Sequence, residues 1–217
     1  MARPADPTTG ATTMRRHTAL TLAVLCLAPA AVAATYAGEP LALQPQSKLW
    51  VEGSSNVRDF TCTSTALEAR VESSVAGAVS AVLAGTKAVE SAELTVLAAS
   101  LDCKNAKMND HMLKALKAKE HPTIGFRISS YEVAKGAGGA DGTAIGQLTL
   151  GGVTKSITVT AHATPDAAGA LRLTGTYPLR MTEFGLKPPS LMMNTMKVTD
   201  DVKVNFDLLL KGEAPKI

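Results

Sequence analysis

The stretch "DVKVNFDLLL", residues 201–210, sets Val202, Val204, Phe206 and Leu208 on one side of an extended chain and Lys203, Asn205 and Asp207 on the other. Successive side chains of a strand point to opposite faces, so this segment has one dry side and one wet side. The dry side needs a partner layer. The same period returns in "TIGFRISS" through Ile124, Phe126 and Ile128, and in "ELTVLAAS" through Leu94, Val96 and Ala98. "GQLTLGGVTKSITVTAHA" reads as a hairpin, two alternating runs joined at Gly151-Gly152, a pair that supplies the positive φ angles of a tight primed turn. Further strands are expected over residues 47–51, 60–71, 77–83 and 171–181, making eight or nine, mostly antiparallel because their connections are short.

One stretch breaks the period. In "NAKMNDHMLKALKAKEHP" Met108, Met112 and Leu116 recur at helical spacing with Leu113 and Ala115 beside them, while Lys107, Lys114, Lys117 and Lys119 mark the wet face. His121-Pro122 ends this helix, since the residue before a proline avoids the α region. A second short helical or irregular segment is expected over residues 188–196. Many short alternating strands with one helix fit a sandwich or a closed antiparallel barrel, and closure has the advantage of removing exposed strand edges.

The N-terminus is a processing segment rather than part of the fold. Arg15 and Arg16 precede an apolar run from Thr18 to Ala30, and Ala31-Val32-Ala33 forms a small-residue cleavage site, so residues 1–33 read as a leader and cleaved signal peptide. The apolar run is too short for a stable membrane span, and a soluble periplasmic or secreted protein is expected. Residues 34–46 are expected to be a flexible N-terminal segment, 47–212 a single barrel domain and 213–217 a tail. Loss of Arg3, Arg15, Arg16 and Asp6 with the leader leaves 19 basic and 18 acidic residues. A net charge near zero, with dispersed lysines, argues against a nucleic-acid partner, which needs a clustered basic face. Cys26 leaves with the signal peptide, and the remaining pair, Cys62 and Cys103, is read first as a disulfide in an oxidising compartment.

No catalytic constellation emerges, and the chain is not expected to be an enzyme. His111 sits on the helix, His121 abuts its terminating proline and His162 closes a strand, with no G-x-S-x-G, H-E-x-x-H or C-x-x-C motif. The sharper rival to a simple packing role is a soft metal. Met108, His111 and Met112 share a helical face, Met192, Met193 and Met196 form a second cluster, and thioether and imidazole ligands suit Cu(I). Methionine at helical spacing more often fills apolar space, so packing or lipid contact is preferred, with a copper-binding protein as the alternative, and no cofactor or metal is assigned.

Four blocks, "SKLWVEGSSNVRDFTC", "LTVLAASLDCKNAKMNDHMLKALKAKEHPTIGF", "GQLTLGGVTKSITVT" and "MTEFGLKPPS" followed by "VTDDVKVNFDLLL", occur in the order found in the YceI-like family of bacterial secreted proteins, which residues 47–211 resemble. Arg58 and Ser55 stand where many members carry His and Thr. The resemblance implies an all-β fold, an antiparallel lipocalin-like β-barrel of about eight strands with one short helix. It further implies an elongated cavity holding a polyisoprenoid or other amphipathic lipid, such as a quinone-like ligand. On that reading the expected cavity-lining residues are Val96, Met108, Met112, Ile124, Phe126, Ile128, Leu148, Phe184, Val204 and Phe206. Whether the protein forms a homodimer stays open.

Overall fold

The alternating segment at the C-terminus becomes the longest strand of one curled antiparallel sheet, 17 residues from Met196 to Gly212. The computed structural model describes residues 38–191 and 195–213; the expected signal peptide, Met192 and Met193 lie outside the described residues. The strands are β1 (Leu41–Leu43), β2 (Lys48–Ser55), β3 (Asp59–Ser64), β4 (Leu67–Ser73), β5 (Val89–Leu97), β6 (Thr123–Gly136), β7 (Gly139–Leu150), β8 (Val153–Pro165), β9 (Leu171–Arg180), β10 (Ser190–Leu191) and β11 (Met196–Gly212). Two helices interrupt them, α1 (Ala78–Leu83) and α2 (Ala106–Ala115). The hydrogen-bonded order is β3-β2-β11-β9-β8-β7-β6-β5-β4.

The two ends of that order, β3 and β4, are consecutive in the chain and separated by Thr65 and Ala66. Residues 60–71, expected as one strand, are therefore one strand with a bend: the first half pairs with β2, the second with β5. Ser64 makes the corner. Its hydroxyl, in a residue 1% exposed, accepts the Ala66 N–H at 3.2 Å and shares a hydrogen bond with the Ser100 hydroxyl at 2.7 Å. Those bonds satisfy groups that leave the ladder at the bend. Counted as one bent strand, β3/β4 closes the sheet into a ring of eight, the barrel that the resemblance implies.

Several local expectations change. Pro40 and β1, expected in a flexible segment, join the barrel: β1 pairs with the end of β11, and Pro40 bridges to Glu72 of β4. Residues 77–83, expected as a strand, form α1 instead. Ala78 and Val82 are one helical turn apart and both buried, while Gly77 enters the helix at φ 70°. Residues 188–196 contain the short strand β10, paired back onto the start of β11. Gly151 and Gly152 do form the predicted β7–β8 turn, with φ 56° and 83°. α2 ends at Ala115, and the chain reaches Pro122 through a turn in which Lys117 takes φ 55°. Among the described residues no helix is long and apolar enough to cross a membrane.

Two apolar clusters plug the barrel. At one end Ala78 and Val82 of α1 pack among Leu41, Val71, Leu171 and Leu210. At the other end Leu150, Leu179, Met181, Phe184, Leu186 and Val202 pack together, with Leu116 at their edge. The space between the clusters is not filled by side chains.

Candidate functional site: an apolar cavity within the barrel

The unfilled space is a cavity of about 610 Å³. Its walls are the inward positions of the strands, which period-two alternation delivers without further device. Val96 of β5, Ile124, Phe126 and Ile128 of β6, Leu148 of β7, and Val204 and Phe206 of β11 all line it. Met108 and Met112 reach it from α2. Nine of the ten expected lining residues are thus brought together.

Phe184 is the exception. Only 1% exposed, it belongs to the plug beside Leu150 and Leu179, with the Lys155 ammonium 6.0 Å from the centre of its ring. The cause is local. Met181–Phe184 is a single 3-10 turn, Gly185 follows at φ 63°, and the Leu186 N–H bonds back to the Met181 carbonyl at 3.1 Å. This reversal seats Phe184 in the plug, and Met181 and Leu186 line the cavity in its place.

α2 carries no fully buried residue, and its N-terminal end is tied to the barrel by covalent and polar contacts. Cys103, three residues before the helix, is disulfide-bonded to Cys62 of β3. Beside that bond Thr63 and Asp102 exchange backbone hydrogen bonds. The Asn105 side chain caps the helix by accepting the Met108 N–H at 3.0 Å. Asp102 Oδ1 accepts from Asn109 Nδ2 at 3.0 Å and from the Lys104 N–H at 2.9 Å, and Asn109 Oδ1 accepts the Cys103 N–H at 2.8 Å. Hydrogen bonds from Asn109 and then Lys104 hold the Asp102 carboxyl far below the usual carboxylate range. The result is a polar knot that fixes the N-terminal end of α2, the lid over this end of the barrel.

Met112 places its sulfur 3.7 Å from Cys103 Sγ, a packing contact, since a disulfide sulfur carries no proton. Met108, His111 and Met112 do share the end of the cavity under α2. Among the described residues, no group of three or more His, Cys, Asp or Glu side chains is arranged to hold a metal ion.

Some lining residues escaped the sequence reading. Leu49 and Val51 of β2 contribute to the wall, and the alternation in "KLWVEG" was the signal for them. His111, absent from the expected lining, reaches the cavity end with Lys107, and Arg58 joins them from the β2–β3 turn. Tyr177 of β9 also lines the cavity, and burial, with Glu183 adding, pushes its phenol above the ordinary value. The phenol is therefore a neutral hydroxyl near neutrality.

An antiparallel sheet closed around an apolar cavity, with a helical lid pinned by a disulfide, defines a lipocalin-like binding-protein fold. The YceI-like domain model matches residues 49–210, and the chain belongs to that family. Among solved structures, Burkholderia cenocepacia BcnA is 24% identical, with 77% of this chain and 99% of that one covered and a TM-score of 0.60. A polyisoprenoid binding domain from Saccharophagus degradans, implicated in plant cell wall breakdown, is 15% identical over 82% of this chain and 99% of that one, with a TM-score of 0.56. The Campylobacter jejuni YCEI protein is 18% identical over 74% and 85%, with a TM-score of 0.52. At these identities the likeness is one of fold. No protein of curated function matches the sequence.

Proposed function

We propose that the mature protein is exported to the periplasm or beyond and there sequesters or carries a polyisoprenoid or quinone-like lipid, with the apolar chain inside the barrel. The carrying observation is the cavity itself: about 610 Å³ enclosed by aliphatic and aromatic side chains. A core of ordinary density leaves no such void, and an empty one forfeits the contacts its lining could make. Burying about 600 Å² of a prenyl chain contributes on the order of 15 kcal/mol gross at roughly 25 cal/mol/Å². Chain ordering and desolvation offset much of that, which still leaves room for useful affinity.

The cavity's chemistry favours a chain over a compact polar solute. Its long walls present Val, Leu, Ile and Phe, and its charged lining residues stand at the openings, Arg58 and Lys107 near the lid and Glu93 and Glu132 along one flank. The Cys62–Cys103 bond suits an oxidising compartment, in keeping with export. The S. degradans domain named for polyisoprenoid binding shares the fold and supports the ligand class. The test is a titration of the delipidated protein with prenols, read by displacement of an environment-sensitive fluorophore. Saturable displacement by prenols, with none by short polar alcohols, is expected; failure of every prenol to displace the probe would remove the reading.

A further inference from the structure

Away from the β3/β4 corner, two intervals of the barrel wall lack a complete ladder among the described residues. β8 and β9 pair only from His162↔Thr174 to Pro165↔Leu171. The rest of that interval is stopped by the 181–186 segment, whose Phe184 and Leu186 pack with Val153 and Ile157 of β8 and Tyr177 and Leu179 of β9. The second interval lies between β5 and β6. These strands pair from Glu93↔Arg127 to Leu97↔Thr123 and then part, although β5 begins at Val89 and β6 runs on to Gly136.

Both strands change register where they separate. β6 has an irregularity between Ile128 and Ser130 in its pairing with β7, and β5 leaves Glu90 unmatched between Ser91↔Glu72 and Val89↔Ser73. Such bulges bend a strand and turn its edge away from a neighbour. Below, the Gly85 backbone closes against Lys135, where an added Cβ would fall 2.5 Å from the amide nitrogen. The slit left between spans about four residues, roughly 13 Å at about 3.3 Å per residue.

Side chains, not main chain, bridge it. The Tyr131 hydroxyl accepts the backbone N–H groups of Ala88 at 2.8 Å and Val89 at 2.9 Å. Arg127 pairs with Glu93 at 3.1 Å above, and Lys87 with Glu132 at 2.6 Å below. The cavity extends to both lips, to Val89, Ala92 and Glu93 on β5 and to Ile128, Tyr131 and Glu132 on β6. The Glu132 side chain is 81% exposed, so this part of the cavity lining reaches the outer face of the sheet.

We infer that this slit is a side exit for the tail of a linear aliphatic ligand, so that the protein accepts chains longer than its cavity, with Tyr131 setting the lower edge of the exit. The inference rests on the lipid reading of the cavity. A chain held under α2 runs down the barrel until Val82 and Ala78 of α1 stop it, and the parted strands offer the way out. The slit suits an apolar tail, because the two carboxylates that line it, Glu93 and Glu132, are each matched by a cation and the Tyr131 hydroxyl by two donors. A tail passing between them strands no unpaired charge.

The test compares a short prenol, farnesol, with a long one, solanesol, on the delipidated protein, the solanesol carrying a diazirine at its tail end. The wild type is expected to bind both, and the bound solanesol to photolabel residues 89–93 or 128–132. Labelling confined to residues outside these two segments, or a wild type that binds farnesol and rejects solanesol, would overturn the exit. A wild type that binds neither overturns the lipid reading and the exit with it.

Discussion

Thr63 and Asp102 exchange backbone hydrogen bonds in both directions, N···O 3.0 and 2.9 Å, directly beside the covalent link between Cys62 and Cys103. The lid's anchor is thus held twice. Cysteines separated by 41 positions close a loop whose restriction is worth up to about 4 kcal/mol in the chain-entropy model. Replacing both with alanine should lower unfolding free energy by about 2–4 kcal/mol in urea denaturation and leave the β-sheet circular dichroism unchanged, because the backbone bridge remains. An unaltered denaturation midpoint would show that the bond adds nothing to the fold.

Arg172 grips Asp207 with two hydrogen bonds, Nε to Oδ1 at 2.7 Å and Nη2 to Oδ2 at 2.6 Å, across the β9–β11 pair. This contact depresses the Asp207 carboxyl below its ordinary value. A carboxyl depressed on folding stabilises above its unfolded pKa of about 3.9, and the contribution is lost as pH falls through the folded value. Asp207→Asn should therefore cost roughly 1 kcal/mol near neutrality, allowing for solvent screening of the half-exposed Arg172. Denaturation series should show the gap between wild type and variant narrowing below about pH 4; a gap equal in acid and at neutrality would contradict the assignment.

Leu148 stands on the cavity wall, half-buried because empty space lies before it. Leu148→Trp places an indole in that space. Prenol affinity should fall by about tenfold or more while the melting temperature holds, since the strain that usually follows enlargement of a packed core is absent where there is a void. A large drop in melting temperature with affinity intact would mean the space is already filled.

Phe184 predicts the reverse pattern. As a plug residue, its replacement by alanine should destabilise the protein by about 3–5 kcal/mol. The fraction that stays folded should bind prenols normally. Lost binding at preserved stability would place Phe184 against the ligand instead.

The walls were legible because period two assigns an inward face strand by strand, and Ile124, Phe126, Ile128, Val204 and Phe206 needed nothing more. Even the β6 bulge left a trace, since the inward series Ile124, Phe126, Ile128 resumes out of step at Tyr131 and Val133. What alternation leaves open is how strands associate. It allowed a sandwich as readily as a barrel, and the choice came from the family resemblance. "AVSAVL" is too short and too rich in small apolar residues to distinguish strand from helix, and it is the barrel's end, which Ala78 and Val82 fill, that decides for α1. Phe184 was misplaced because one left-handed glycine reversed its direction. The parting of β5 from β6 depends on which strands neighbour each other, which no local pattern encodes.

The central claim is that the barrel encloses a lipid chain, and the most direct measurement is mass spectrometry of an organic extract of the protein purified from its native compartment. An isoprenoid lipid in about equimolar amount to protein is the predicted result. An extract with no co-purifying lipid, from protein that also fails to take up added prenols, would contradict it.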